Sequence, residues 1–405
     1  MMSERICITG AGVVSSLGVG MAEFERALYA GASGAGQSEI LRAVMGDGAT
    51  ACEVRDFNPQ PWLGNKGIRV LDRTARLLCV AARLALDEAQ AGASSSESNV
   101  ESGLVCGTMF GSLHSITSFD WSGLEDGPNL VNPMDFPNTV INSAAGQAAI
   151  KFKMGGVNST ICAAQASGLY ALHYAAEFLR LGRAKLLLAG GVEELSPEAW
   201  LGFRKNNWLS DTGSAQPFAE EASGMLLGEG AVMLSLQCGD AASFASTGKP
   251  LAEIVGFGAA QDAHSANGFD ASASGATEAI ALALESAGAS ADQIACVIAN
   301  ANGSRGGDWM ELRALRNVFG ARLTQIPICA PKAALGDTLG AGGAFAALVG
   351  ALALQKQCLP PTPGGSGRVG LLLSSESQTI RGEYALVNAF SCDGNNAAIV
   401  LRRCA

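Results

Sequence analysis

The chain has 405 residues, 48% of them hydrophobic and 16% charged, with 51 glycines and a formal net charge of −10. That length supports a large buried core in two similar-sized halves, and the acidity argues against nucleic acid and anionic membranes as partners. Eleven cysteines and three histidines are scattered with no CxxC pair, so no zinc site is expected, and the thiols read as small core residues of a reducing cytoplasm.

In chain order, residues 1–20 lack a basic region followed by a long apolar core, so no signal peptide is expected. No later apolar run reads as long enough to span a membrane. Residues 5–14 (RICITGAGVV) predict a buried strand running into a glycine turn, and 21–30 a short helix. Residues 69–91 have helical periodicity, with Leu71, Ala75, Leu78, Ala82 and Leu86 near one stripe. Residues 102–107 predict a second strand. Residues 108–137 are aromatic and irregular, and a helix with Asn138 as its N-cap is expected to run to 150. Residues 158–169 (NSTICAAQASGL) read as strand, sharp turn and helix, the helix reaching about 181. Strands follow at 185–189 and 231–236. The small, polar stretch 239–250 marks the boundary between a half at 1–243 and a half at 251–405. The second half predicts strands at 251–257, 294–299, 384–390 and 397–401, and helices at 277–287, 308–319 and 340–356. This alternation argues for an α/β protein with two mixed sheets sharing buried helices. The Gly- and Ala-rich segments 164–168 and 340–347 suit helices whose backbones approach closely.

The elbow at 158–169 carries the functional question. Such a turn presents a nucleophile at a helix N-terminus, where backbone N–H groups and the helix dipole stabilise a thiolate or oxyanion. Here the tip is Gln165, and an amide is not a nucleophile. Cys162, three residues earlier, is the rival; its place on the strand side reads as core.

Several stretches in order carry a resemblance. They are ITGAGVVSSLG (8–18), NTVINSAAG (138–146), the elbow, LLLAGGVEE (186–194) and PFAEEASGMLLGEGA (217–231). With them the chain resembles, along nearly its whole length, the β-ketoacyl–acyl carrier protein synthases of the thiolase superfamily. The resemblance implies a five-layer αβαβα fold with two related halves. It also implies a Cys at the elbow to take the acyl chain, two His to decarboxylate a malonyl thioester and hold the enolate, and a supporting Lys. In this sequence the Cys position is Gln165. Asn300-Ala301-Asn302-Gly303 puts Asn302 at the first His, and Lys332-Ala333-Ala334-Leu335-Gly336-Asp337 keeps Lys332 and puts Asp337 at the second. The loop that offers hydroxyls to the phosphopantetheine arm reads Ser304-Arg305-Gly306-Gly307. The C-terminal glycine-rich segment reads Ser391-Cys392-Asp393-Gly394-Asn395-Asn396, with two glycines replaced.

Gln165-Ala166-Ser167-Gly168-Leu169 is similar to the chain-length factors, the ketosynthase β subunits of type II polyketide synthases. That likeness implies a cytoplasmic subunit with no intact catalytic set and no condensation activity alone. It would form a heterodimer with an active ketosynthase α subunit and shape the tunnel that sets chain length. Acyl carrier protein would be met mainly through that partner, and no cofactor or metal is implied. Two alternatives stay open: a malonyl-decarboxylating, priming subunit using Gln165, and a condensing enzyme using Cys162. Residue by residue, Gln165 reads as a buried hydrogen-bonded amide and Lys332–Asp337 as a buried pair whose loss costs stability. Phe110, Leu113, His114 and Phe136 fall where the resemblance places interface or tunnel lining. His114, His173 and His264 lack a nearby acid or thiol and read as structural. An aromatic polyketide and a polyene product remain equally open.

Overall fold

Ile6, Ile8, Val13 and Val14 are shut from solvent on both faces of a strand, β1 (Arg5–Ser15), that lies in the middle of the molecule. This is how a near-continuous apolar run behaves when a sheet is covered on both sides. The computed structural model describes residues 5–90, 101–239, 249–263, 268–365 and 370–404; His264 and most of the expected boundary stretch lie outside them. The principal elements after β1 are α1 (Arg73–Gln90), β2 (Ser102–Gly107), α2 (Leu113–Glu125), α3 (Ser143–Phe152), β3 (Asn158–Ile161), α4 (Ser167–Arg180), β4 (Leu186–Glu193), α5 (Pro197–Lys205) and β5 (Gly230–Gly239). The second half runs β6 (Ala252–Gln261), α6 (Ser274–Ala287), β7 (Ile294–Ile298), α7 (Arg305–Phe319), β8 (Pro327–Cys329), α8 (Gly342–Lys356), β9 (Leu372–Leu373), β10 (Tyr384–Phe390) and β11 (Asn395–Arg402).

The halves repeat one topology. The first orders its strands β3-β2-β4-β5-β1, and the second β8-β7-β10-β11-β6 with β9 added beside β8. In each, the first three strands are followed by an outer helix, a second outer helix and a buried helix. Ladders between β2 and its neighbours, and between β7 and its neighbours β8 and β10, are parallel; those of β5 and β11 are antiparallel. The sequence predicts two separate sheets, but the structure joins them. β1 and β6 pair antiparallel through Cys7↔Glu253 and Ile8↔Ala252, giving one 12-stranded sheet. At the centre of the molecule, backbone N–H and C=O groups have no water to bond, so pairing across the seam satisfies them.

Helices α1 and α3 cover one face, α6 and α7 the opposite face, and α4 and α8 lie between the two half-sheets. These are the alternating layers of a thiolase-like α/β fold. Every residue of α8 from Gly342 to Leu354 is buried. Contrary to the sequence expectation, Leu339–Lys356 does have the length and apolarity of a membrane span, but it is 89% buried inside the protein. A helix apolar all round is either a core helix or a span, and here neighbours surround it. Gly168 and Gly343 permit the crossing of α4 and α8. A Cβ on Gly168 would lie 2.7 Å from the Ala344 nitrogen, and one on Gly343 2.9 Å from the Leu169 side chain.

Two local readings are corrected. Residues 113–125, expected to be irregular, form α2, none of whose residues is fully buried, so no apolar stripe marked it. The helix expected to start at Asn138 starts at Ser143, because Phe136–Asn138 forms a single 3₁₀ turn. Asn138 does not cap it; its Oδ1 accepts from the Ser143 hydroxyl at 3.2 Å.

Candidate functional site

β3 ends at Ile161, and the chain turns sharply before α4. Ala164 takes φ 46°, a left-handed conformation that places the following Gln165 at the tip. Ser167 pins the turn: its Oγ accepts from the Ala163 N–H at 2.9 Å and donates to the Ala164 carbonyl at 2.6 Å.

The structure brings together all four positions expected at the centre. Gln165 Nε2 donates to Asp337 Oδ2 at 2.9 Å, and Asn302 Nδ2 donates to the same oxygen at 2.6 Å. Lys332 Nζ is 3.2 Å from it and also donates to Asn300 Oδ1 at 2.9 Å. The other carboxylate oxygen, Oδ1, accepts the Leu339 N–H at 2.9 Å. Exposure is 1% for Gln165, 4% for Asn302, 5% for Lys332 and 0% for Asp337, so the centre is closed. The Gln165 amide is only half satisfied, because its Oε1 is buried without a hydrogen-bond partner. Exchanging the two ends of the amide would set oxygen against oxygen at Asp337, so the orientation is fixed by charge.

Sequence reasoning missed the shell beneath. Asp308, on α7, accepts the N–H groups of Phe218 (2.7 Å), Asn302 (3.0 Å) and Gly303 (3.1 Å) and so holds the loop that carries Asn302. Glu311, one turn on, accepts from Asn300 N and from Asn388 Nδ2, both at 2.9 Å. Glu193, at the end of β4, accepts from Met109 N (2.7 Å), Phe110 N (2.9 Å) and Gly340 N (3.0 Å), tying the segment after β2 to the start of the core helix. Burial outweighs these bonds and pushes the Asp308 and Glu193 carboxyls up to about 7. The signal in the sequence was the acid pair Glu193-Glu194 closing an apolar strand.

The remaining candidates lie apart. Phe110 and Leu113 pack with Leu339 and Met109, and Phe110 meets Phe203 edge-on at 6.4 Å between ring centroids. His114 is exposed and, contrary to the sequence expectation, has an acid beside it, its Nδ1 lying 3.1 Å from Glu198, which is 84 residues away in the chain. Phe136 is 58% exposed and packs on Phe119. His173 stacks on Phe257 with ring centroids 4.0 Å apart, and burial lowers its pKa. Cys162 corrects its expectation as core. It is exposed, because β3 is the edge strand and Cys162 lies just beyond it, with Sγ facing the Met109 carbonyl at 3.4 Å. In the C-terminal loop, the Ser391 hydroxyl and Asn396 Oδ1 are buried without partners, filling space with side chains.

Residues 3–242 match the N-terminal domain of the β-ketoacyl synthases and residues 251–366 the C-terminal domain. The chain belongs to the β-ketoacyl synthase family. It is 30% identical over 424 residues to 3-oxoacyl-[acyl-carrier-protein] synthase 2 of Rhizobium meliloti, with 99% of each chain covered. Among solved structures, a chain titled the ishigamide ketosynthase/chain length factor superposes with a TM-score of 0.91 at 27% identity, covering 99% of this chain and 100% of that one. A β-ketoacyl synthase from Burkholderia phymatum superposes at 0.90 with 28% identity and full coverage of both.

In this member of the family the four central side chains include neither a thiol nor an imidazole, and Gln165, Asn302 and Lys332 each direct a donor at one carboxylate oxygen. A surface groove of about 560 Å³, lined by Trp208, Gly224, Phe269, Ser304 and Arg305 among others, approaches the centre and does not include any of the four. Among the described residues no group of His, Cys, Asp and Glu side chains converges as metal ligands do.

Proposed function

We propose that the chain is a chain-length factor, a ketosynthase-like subunit that no longer condenses and that heterodimerises with an active ketosynthase. The observation that carries this reading is Asp337. It takes the hydrogen bonds of Gln165, Asn302 and Lys332 on a single oxygen inside a closed centre. Condensation needs a thiolate to receive the acyl chain and free donors to hold an enolate. Here the thiolate position is an amide and the donors are occupied. Both halves, 1–243 and 251–405, then serve as scaffold, and the subunit works in the cytoplasm of its cell.

Two surface features support a partner. Among the described residues β3 is the terminal strand of the first half's sheet, and the stretch 121–136 exposes Trp121, Leu124, Leu130, Met134 and Phe136. In the assembly, Phe110, Leu113, His114 and Phe136 line the interface or the tunnel, and acyl carrier protein docks mainly on the partner. The likeness to a structure titled ketosynthase/chain length factor supports this reading. Relatives named 3-oxoacyl-[acyl-carrier-protein] synthase 2 supply the rival, a condensing enzyme. The priming alternative requires the Gln165 N–H for a developing enolate, whereas Asp337 already holds it.

Co-expression with a ketosynthase α subunit tests the proposal. We expect tight co-purification, no condensation by the chain alone, and unchanged priming by the complex carrying Gln165→Ala. A chain that purifies as a stable homodimer with no need of a partner overturns the proposal. A cerulenin adduct on Cys162 would restore the condensing-enzyme reading.

A further inference from the structure

Nine of the eleven cysteines sit in strands, helices or loops with no second thiol to react with in place, or in deep apolar surroundings. Burial raises the thiols of Cys52, Cys79, Cys106, Cys296 and Cys329 above the ordinary range. The exception is the pair Cys7 and Cys404. They form a separate buried cluster of two, at 0% and 4% exposure, each the other's hydrogen-bonding neighbour.

Their position is particular. Cys7 lies opposite Glu253 at the seam where β1 and β6 join the half-sheets, a seam of only two residue pairs. On the other side of β6, Glu253 lies opposite Arg402 of β11. Cys404 follows two residues later and so reaches across the end of β6 to β1. Glu253 Oε2 accepts Arg5 Nε at 2.7 Å and Arg402 Nη2 at 2.8 Å, and Arg5 Nη2 also points at Cys404 Sγ at 3.9 Å. Two guanidinium groups against one carboxylate leave a positive balance beside the pair, which favours a thiolate. The bond from Cys7, then Arg5 and Arg402, draws the Cys404 thiol below the ordinary range against the opposing effect of burial, while Cys7 is pushed up by the bond to Cys404 and by burial.

We propose that Cys7 and Cys404 are a site of reversible disulfide formation, which a small-molecule disulfide such as glutathione disulfide drives. The Cys404 thiolate attacks one sulfur of glutathione disulfide, breaking its S–S bond and releasing one glutathione thiolate. Cys7, losing its proton to that thiolate, attacks Cys404 Sγ and expels the second glutathione. Two thiols become one disulfide, and one glutathione disulfide becomes two glutathiones, with both electrons and both protons passing to glutathione. Cys404 is the attacking member because it lies beyond the β11 ladder, whereas Cys7 is held in β1 on both edges. The bond ties the first strand of one half to the segment after the last strand of the other. It closes a loop of nearly the whole chain, which constrains the unfolded state most.

The test uses the full chain incubated in glutathione buffers of increasing oxidation, denatured, and alkylated with N-ethylmaleimide. We expect the mass of two hydrogens to be lost, two fewer maleimide adducts than the eleven of the reduced chain, and a Cys7–Cys404 peptide pair on unreduced digestion. Cys7→Ser should stop at a glutathione adduct on Cys404, and Cys404→Ser should give neither product. The oxidised wild type should melt at a higher temperature than the reduced chain, and dithiothreitol should reverse the rise. A wild-type chain that keeps all its thiols, pairs other cysteines, or retains glutathione on Cys404 with Cys7 still alkylated overturns the proposal. Because the readout maps wild-type peptides, misfolding of either variant does not shield it.

Discussion

Asp337 organises its surroundings by charge. Its Oδ2 is the common acceptor for an ammonium and two amides, with no water-exposed alternative for any of them. Asp337→Ala would strand the Lys332 ammonium and two amide donors in a dry pocket, a loss of about 3–5 kcal/mol, which urea unfolding would measure. Gln165→Ala removes an amide already unsatisfied on its oxygen, so its cost should be smaller, about 1–3 kcal/mol. Equal costs for the two substitutions would deny Asp337 its central place. A second prediction follows from the buried acids. Glu193, Glu194 and Asp308 are each pushed by burial up to about 7 in the folded protein. In the unfolded chain such groups titrate near about 4. Between these values the folded state binds more protons, so stability should fall as pH rises from about 4 towards 7 and flatten above it. The slope should be shallower in Asp308→Asn, and a wild-type stability that rises through this window would contradict the burial argument.

At the scale of elements, the crossing of α4 and α8 depends on absent side chains. Gly168→Ala would drive a Cβ to 2.7 Å from a backbone nitrogen of α8, and backbone there has no room to yield. We expect a loss of about 1–3 kcal/mol. Gly202, in α5, meets nothing within 4 Å, so Gly202→Ala should be neutral or stabilise by about 0.5–1 kcal/mol. Thermal melts of the two variants check both signs at once. The crossing was legible in the sequence because clustered Gly and Ala in helical register have few other uses. The strands were legible because their apolar runs are continuous, as in β10, predicted and found over Tyr384–Phe390. α2 was not, since none of its residues is fully buried and no apolar stripe marks its period. In the site, Gln165, Asn302, Lys332 and Asp337 were legible singly, each inside a local motif. Their convergence came only through the family resemblance and not from spacing, because Gln165 and Asp337 lie 172 residues apart in the chain and the stacked half-sheets bring them together. Asp308, which supports Asn302 from beneath, carries no local signature at all.

At the scale of the whole molecule, the buried and exposed apolar residues divide cleanly by role. The core is closed around α4 and α8, whereas α2 and the segment after it leave Trp121 58%, Leu124 79%, Leu130 70% and Met134 70% exposed. These residues are not needed to bury α2, whose own packing is slight, and they lie in one continuous stretch of chain. A patch of this kind is costly in water unless a second surface covers it. If a ketosynthase partner covers it, charge placed there should block assembly and leave the fold intact. Trp121→Asp with Leu124→Asp is the direct probe, since both side chains already face solvent and the substitutions remove no core contact. We expect the variant to retain the wild-type melting transition and circular dichroism, and to lose co-purification with the partner by at least about tenfold, since each buried apolar side chain contributes about 1.5–3 kcal/mol. The same variant should leave the Cys7–Cys404 chemistry unchanged, because that pair lies at the seam between the half-sheets and not on this surface. Undiminished co-purification would move the partner surface elsewhere, with the terminal strand β3 the next place to probe.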